Sequence, residues 1–584
     1  MTPHRKRWHV APPAPTSHTA RFPHLHPIIV QALYNRGITT PEGVAAFLDG
    51  GQEESNPFAL DGMHAAVTRL RHALRNGERI AVYGDFDVDG VTATTLLIKT
   101  LEALGGDATH YIPHRVDEGY GLNIDALTQL AEEGVQLVVT VDCGVRSLEE
   151  VAHANRLGLD VIITDHHSTG PNLPDAVAVL DPRQPASRYP FSDLAGVGVT
   201  YRLAQALLRS HRQSPVTDQN VLLEEQDLTD LVALGTVADL VPLLGENRNL
   251  VRQGLVRINQ MERPGIAALC GQARLKPGQV TTSSIGFALG PRLNAAGRLA
   301  HAETAYQLLK TPYPAEAERL AEELDALNRE RQQMTLDLYQ KARRVALAAA
   351  DDAPLLFAAD PKFPSGIVGL AASRLVDDYY RPAVIIEIGD EVSRGSARSI
   401  PEFHITDALD ACADLLIRYG GHAAAGGLTV ANENLDELGA RLRQMAKEKL
   451  SGTELVPTIE IDAEIEIGQV SWNLEKELSQ LEPCGYDNPY PLFLSRDVGV
   501  QHQRAVGNEG KHLKLTLTNG RGSWDAIAFR QGDWLGKLSN RVDIVYHVEV
   551  NEWRGQRRLQ LNVRDIRPAE DGGTQIWLDD ANGG

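Results

Sequence analysis

The chain has 584 residues, 43% of them apolar and 23% charged, with a net charge of −20. At roughly 100–200 residues per domain this allows three or four domains with real cores, and it excludes a uniformly basic nucleic-acid coat, so any polyanionic partner must meet a local basic patch. Four scattered cysteines without a CxxC pair, no apolar core in "MTPHRKRWHVAPPAP" and no run of 18 apolar residues argue against a zinc ribbon, a signal peptide and a membrane span, leaving the cytoplasm as the expected compartment.

Residues 1–68 read as an N-terminal extension with a short helix in "PIIVQALYNRG". From 69 to 313 the rhythm is α/β. The runs "RIAVYG", "DATHYIP", "VQLVVTVDCG", "DVIITDHH" and "AVAVLDP" alternate with helical patterns such as "VTATTLLIKTLEALGG". Continuous apolar strands joined by helices predict a doubly wound parallel sheet that binds ligands at the carboxyl ends of its strands. A helical subdomain follows from about Leu194. Pro314 to Ala350 lacks interior Gly or Pro and predicts one helix about 50 Å long at about 1.5 Å per residue, a connector between two lobes with a coiled-coil partner helix as the alternative. Residues 352–452 form a smaller α/β unit with a Gly-rich stretch, "YGGHAAAGGLTV". Residues 453–568 alternate with period two and predict a small β barrel or sandwich. Residues 569–584 read as an acidic tail.

The chemistry starts at "YGDFDVDGV", where Asp85, Asp87 and Asp89 follow an apolar strand. D-x-D-x-D-G opens an EF-hand, but the twelfth position, which needs a bidentate acid, is Leu96, and the entry is a strand rather than a helix. Side chains alternate in extended chain, so the three carboxylates are expected on one side, where they repel unless cations sit between them. A solvated turn of helix-capping aspartates is the plain alternative. Further strand ends weigh against it: "LVVTVDCG" ends in Asp142, "DVIITDHH" in Asp165, His166 and His167, and "ALGTVADLVPL" places Asp239 in an apolar stretch. Carboxylates plus imidazole without thiolate suit Mn²⁺ or Mg²⁺, and two such ions about 3.5–4 Å apart would activate water against a phosphodiester.

"DFDVDG", "VDCG", "TDHH" and "GTVADLVPL" resemble the successive motifs of the DHH phosphoesterase superfamily. The resemblance implies that Asp85, Asp87, Asp89, Asp142, His166 and Asp239 hold two metals, with Asp87, Asp142, His166 and His167 catalytic and His167 facing the scissile phosphate. Many relatives carry histidine four residues before the middle aspartate; this chain has Tyr83 there. Residues 352–452 resemble the DHHA1 domain, entered by "FPSGIVGLAASRL" with Ser365 and Arg374. There Ser365 and Arg374, Ser396 and Arg398 in "RGSARSI", and His422 and Gly426 in "GGHAAAGG", would bind the substrate, the glycine N–H groups approaching an oxyanion. "GPRLNAAGRL" is similar to a stretch of the RecJ branch, implying that Arg292, Asn294 and Arg298, with Arg115, hold backbone phosphates. "LEPCGYDNPYP" resembles the joint before that branch's OB domain.

Gln501 to Pro568 carries 12 Lys plus Arg against 7 Asp plus Glu, with Trp524, Phe529, Trp534, Tyr546 and Trp553 interleaved. Basic grooves with aromatic platforms bind single strands. The expected function is therefore that of the RecJ branch: a single-stranded-DNA exonuclease. The resemblance implies 5′→3′ polarity, 5′-mononucleotide products, roles in recombination, mismatch and base excision repair, and a single-strand-binding protein and a recombination helicase as partners. Alternatives are a small-substrate DHH phosphoesterase acting on oligoribonucleotides or cyclic dinucleotides, and a non-catalytic DNA scaffold.

Overall fold

The structure, a computed structural model, describes residues 6–50, 55–115, 117–349, 353–553 and 555–569. The acidic tail expected at the C-terminus lies outside the described residues except for Ala569. The chain divides into two compact units. One comprises residues 55–455 with 485–487, and the other 6–50, 456–484 and 488–569.

Strand β1 (Arg7–Val10) belongs to the second unit. The first unit opens with a five-stranded sheet of β2 (Arg79–Tyr83), β3 (Asp107–Tyr111), β4 (Val135–Val141), β5 (Asp160–Thr164) and β6 (Ala178–Leu180), ordered β3-β2-β4-β5-β6. All its pairings are parallel, as the continuous apolar runs predict, and its strands are buried on both faces because helices cover both. The order reverses beside β2, so the carboxyl ends of β2 and β4 flank the crevice where such sheets bind ligands. Helix Val88–Ala103 leaves β2 and is buried on nearly every side, packing against helices Gly196–Gln213 and Thr229–Ala238.

The predicted connector is one helix, Pro314–Ala349. Ala317, Leu320, Ala321 and Leu324, at i, i+3, i+4 and i+7, belong to the core of the parallel-sheet lobe. Leu338, Tyr339, Ala342 and Ala346 belong to the core of the next lobe. Each half therefore presents an apolar stripe to a different core. That next lobe is a sheet of β7 (Leu356–Asp360), β8 (Ala383–Ile388), β9 (Val392–Arg398), β10 (Leu416–His422) and β11 (Ala425–Ala431), ordered β10-β11-β9-β8-β7, with helix Ser365–Tyr379 against it.

The second unit carries β12 (Thr458–Ile461), β13 (Ala463–Glu464), β14 (Phe493–Val506), β15 (His512–Thr518), β16 (Ser523–Ala528), β17 (Arg541–Trp553) and β18 (Gln556–Pro568). Pairing of β14 with both β15 and β17 closes β14–β18 into a five-stranded barrel. Leu513, Leu515 and Leu517 point inward in strict alternation. The N-terminal stretch, expected as a separate extension, is built into this unit instead. β1 pairs in parallel with β12, the Trp8 indole donates to Asp565 at 2.7 Å, and the Arg567 guanidinium lies 3.8 Å from the Trp8 ring centre. No local pattern in "RWHV" announces a partner strand some 450 residues away.

Candidate metal centre

The sheet delivers its acids where the strands stop. β2 ends at Tyr83, and the chain turns through Gly84 and Gly90. A Cβ on Gly84 would stand 2.0 Å from the Thr94 hydroxyl, and one on Gly90 2.5 Å from the Asp85 carbonyl. The turn is too tight for side chains at either end. The expected extended alternation of Asp85, Asp87 and Asp89 is not how they converge. Asp87 caps helix Val88–Ala103, its Oδ1 accepting from the Asp89 and Gly90 N–H groups at 2.9 and 3.2 Å, and Asp89 lies in the first helical turn. The Asp89 carboxylate accepts from the Gly196 and Val197 N–H groups at 2.7 and 2.9 Å, at the positive end of another helix. Asp142 follows β4 with φ 63°, a left-handed conformation that costs a non-glycine residue backbone strain. Asp239 terminates helix Thr229–Ala238, where the helix dipole disfavours a further negative charge.

These elements bring the six expected ligands together. His166 Nε2 lies 3.1 Å from Asp142, 3.6 Å from Asp239 and 3.9 Å from Asp89. Ligand atoms of Asp85, Asp87 and Asp142 fall within 4.8 Å of one another, as do those of Asp89, His166 and Asp239, and those of Asp142, His166 and His167. Asp142 thus borders two neighbouring cradles. Buried atoms Asp85 Oδ1, Asp142 Oδ1, His166 Nδ1 and His166 Nε2 lack hydrogen-bond partners. Burial and then the neighbouring carboxylates push Asp85, Asp142 and Asp239 well above the usual carboxylate range and Asp89 up to about 7. Burial also takes His166 down to about 3, which keeps it neutral and able to ligate. Orphaned oxygens, crowded anions and a neutral imidazole are what a pair of divalent cations would satisfy.

The remaining members of the triplet differ in role. Burial favours protonation of Asp165, but hydrogen bonds and charge from His167 and His166 outweigh it and hold the group at about 2. Its oxygens accept from the N–H groups of Val145, His166 and His167 and from His167 Nδ1 at 2.7 Å. That contact raises His167 despite burial. The Tyr120 hydroxyl lies 2.9 Å from His167 Nδ1 and donates to the Asp142 carbonyl at 3.1 Å. Nothing in the residues around Tyr120 singles it out in advance. Asp181 ends β6, and one of its carboxylate oxygens is buried without a partner; burial lifts it to about 7. The strand-end argument applied to "AVAVLDP" would have found it. Tyr83 is buried, stacked on Tyr111 with ring centres 4.9 Å apart, and donates to the Gly121 carbonyl, so its hydroxyl is occupied away from the ligand set.

Next to the acids lies an excess of opposite sign. Arg298 donates to the Gly366 carbonyl at 3.3 Å. Burial, then Arg115 and Arg331, lower it to about 9, with Asp87 and Arg398 also within electrostatic reach. Arg398 donates to Ser396 Oγ at 2.8 Å, and burial and Arg115 lower it too. Arg115 covers the Phe86 ring at 4.6 Å. Arg331, on the connector helix, was not expected here; its Nε is buried without a partner. Ser365 opens the helix that follows, and Asn294 is half-buried on the Arg298 helix. Three further expected groups make other contacts in the structure. Arg292 is held by Asp325 at 2.9 Å and by the Ala288 carbonyl, so it clamps two helices. Arg374 lies over the Tyr339 ring at 4.7 Å. The Gly-rich stretch is a β hairpin rather than an oxyanion loop. Gly421 pairs with Gly426 and Gly427 with Ser396 in the ladder, and His422 is exposed. Its glycines serve close packing, since a Cβ on Gly421 would meet the Ala425 carbonyl at 2.2 Å.

On the barrel, Arg504, Lys514, Asp525, Asn551, Arg558 and Gln560 line a cavity of about 430 Å³. Tyr546 is core, with its hydroxyl 2.8 Å from Ser495. Trp524 and Trp534 pack against the core, and Phe529 is half exposed. The side chain of Trp553 lies outside the described residues.

A doubly wound sheet with acids and imidazole at its switch point, a second α/β lobe and a closed barrel define a metal-dependent phosphoesterase of the DHH class. Residues 79–236 match the DHH family N-terminal domain, 352–448 the DHHA1 domain and 461–565 the RecJ OB domain. The single-stranded-DNA-specific exonuclease RecJ of Salmonella typhimurium is 38% identical over 572 residues, covering 94% of this chain and 97% of the relative. The crystal structure of RecJ with Mn²⁺ from Thermus thermophilus superposes with a TM-score of 0.81 at 30% identity, covering 97% of this chain and 80% of that one. A structure of the same protein with Mg²⁺ superposes at 0.76 and 29% identity, covering 97% and 79%. The chain belongs to the RecJ family of DHH nucleases.

Proposed function

We propose that this chain degrades single-stranded DNA from the 5′ end, releasing 5′-mononucleotides, with Asp85, Asp87, Asp89, Asp142, His166 and Asp239 holding two Mn²⁺ or Mg²⁺ ions. The observation that carries the reading is the buried His166 ring set among Asp142, Asp239 and Asp89, beside carboxylate oxygens of Asp85 and Asp142 that are buried without hydrogen-bond partners. The relatives crystallised with Mn²⁺ and Mg²⁺ support the choice of ion. When bound, the ions supply an activated water and offset charge on the phosphodiester. The chain's own groups do the rest. Asp165 and Tyr120 fix the His167 ring so that it can stabilise charge developing on the scissile phosphate. Arg115, Arg298 and Arg398 meet a second anion beside Asp87, and a terminal 5′ phosphate fits it. Hydrolysis adds the water oxygen to phosphorus and breaks the bond to O3′. The released nucleotide keeps its 5′ phosphate, and the shortened strand gains a new one that can occupy the same arginines.

The barrel cavity with Arg504, Lys514 and Arg558 would hold the trailing strand. Four buried, scattered cysteine thiols support a reducing, cytoplasmic setting; among the described residues no helix is long and apolar enough to cross a membrane. Removal of unpaired strands is the step shared by recombination, mismatch and base excision repair, which supports those pathways, a single-strand-binding protein and a helicase as its context. The test is digestion of single-stranded DNA in Mn²⁺ by wild type and Asp142→Ala, with Mn²⁺ binding followed by calorimetry. Loss of both digestion and binding is expected, and equal digestion by the two proteins would reject the site.

A further inference from the structure

Two features beside the metal centre cost stability and serve no core. Leu240, the residue after Asp239, is held at φ 62° and is 67% exposed. A γ-branched residue rarely adopts this left-handed conformation, and here no burial compensates it. Phe287 is 88% exposed, the highest value among the exposed large apolar side chains of the described residues. It sits in a single π-helical turn, Ile285–Leu289, a geometry concentrated at functional sites. The turn is anchored: Ile285 and Leu289 are buried in the same core as Leu234 and Val237 of the Asp239 helix. Gly290, which closes the turn, lies against Ala238, where an added Cβ would stand 3.6 Å from the alanine Cβ. A left-handed residue and a π turn thus present two solvent-facing apolar side chains, one directly after Asp239 and one on a segment packed against the Asp239 helix.

The occupant follows from continuity with that centre. A strand whose phosphate lies at the carboxylates must place its flanking bases on the neighbouring surface. Unpaired bases have free faces for apolar and aromatic contact, whereas bases stacked in a duplex do not. We propose that Leu240 and Phe287 form an apolar shelf that receives unpaired bases adjoining the scissile phosphate and so selects single strands by direct contact. The proposal rests on the nuclease reading above and adds residues to which that reading gives no role.

The test separates the two. Oligonucleotides with an abasic position, moved one nucleotide at a time from the 5′ end, are digested in Mn²⁺ by wild type, Phe287→Ala and Leu240→Gly. The glycine variant keeps the left-handed backbone, and Mn²⁺ binding by both variants reports an intact centre. In wild type the abasic residue at the contacted position should lower kcat/KM by about 5–100-fold, the worth of one stacked base. Phe287→Ala should lose a similar factor on intact DNA and be insensitive to the abasic residue. An abasic penalty equal in wild type and variants overturns the shelf and leaves the patch to a protein partner. Digestion by no form, wild type included, overturns the nuclease reading on which the shelf depends. 2-Aminopurine at the contacted position, bound in EDTA, should be quenched by wild type and not by Phe287→Ala.

Discussion

The metal centre and the arginine cluster next to it are opposite answers to one problem. In the first, carboxylates are crowded until burial and mutual repulsion raise them far above their ordinary range. In the second, Arg115, Arg298, Arg331 and Arg398 are gathered until burial and repulsion lower Arg298 and Arg398. The two do not neutralise each other by direct pairing: Arg298 and Arg398 donate to carbonyl and hydroxyl oxygens. A fold that wanted only stability would have paired them, because an uncompensated buried charge is costly. Keeping the signs apart leaves one region for cations and the other for anions.

Five experiments would break or sharpen this contrast. The Asp142→Ala loss should be the largest, exceeding the ~10²–10³-fold cost of removing one preorganised electrostatic group. Next, Arg298→Ala should lower kcat/KM on 5′-phosphorylated strands by about 10–100-fold, as for loss of a hydrogen bond to a charged group. It should spare 5′-hydroxyl strands; an equal loss on both would place Arg298 outside terminal-phosphate recognition. Asp165→Asn should cost about 10–100-fold by releasing the ring it orients, acting on kcat more than on Mn²⁺ affinity.

The pH dependence of stability comes next and is smaller. In EDTA, Asp85, Asp89, Asp142 and Asp239 have folded values above their unfolded ones. The folded chain therefore holds extra protons between about pH 4 and the value of about 7 reached by Asp89. Stability should fall as pH rises through that window. His167, also raised, adds to the fall, whereas His166, lowered to about 3, opposes it with one group against several. Mn²⁺ competes with those protons, so its stabilisation of Tm should grow across the same window. A Tm in EDTA that rises from pH 5 to 7 would refute the crowding argument. The smallest effect belongs to the barrel: Lys514→Ala should reduce the salt dependence of long-strand binding by about one ion.

Asp85 to Asp89, Asp142 and the Asp165–His167 triplet were legible because each follows a β-branched run, and strand ends of a parallel sheet share one edge; Asp239 was legible as an acid in an apolar helical stretch. The sheets, the long helix and the β character of the last domain were legible from periodicity; closure into a barrel was expected only from the resemblance. What failed was geometry finer than the run. "GDFDVDG" looks extended, but Asp87 starts a helix, and convergence comes from a cap and a helix N-terminus instead. "GGHAAAGG" looks like a loop because glycine lacks strand propensity, yet hairpin packing demands it. Arg292 and Arg298 stand on one helix six residues apart, and only tertiary contacts send one to Asp325 and the other to the Gly366 carbonyl of the next lobe. Arg331 and Tyr120 reach the site from segments without any chemical signature.

The 36-residue connector has a mechanical consequence. Its first half is embedded in the lobe that owns the carboxylates, and its second half in the lobe that owns Arg398. It therefore behaves as the spine of a gauge with two jaws, and under the proposed function the opening between them would set how many nucleotides fit from chain end to cut. A kink introduced near Arg331 would change the length of the fragment released before it changed the speed of release.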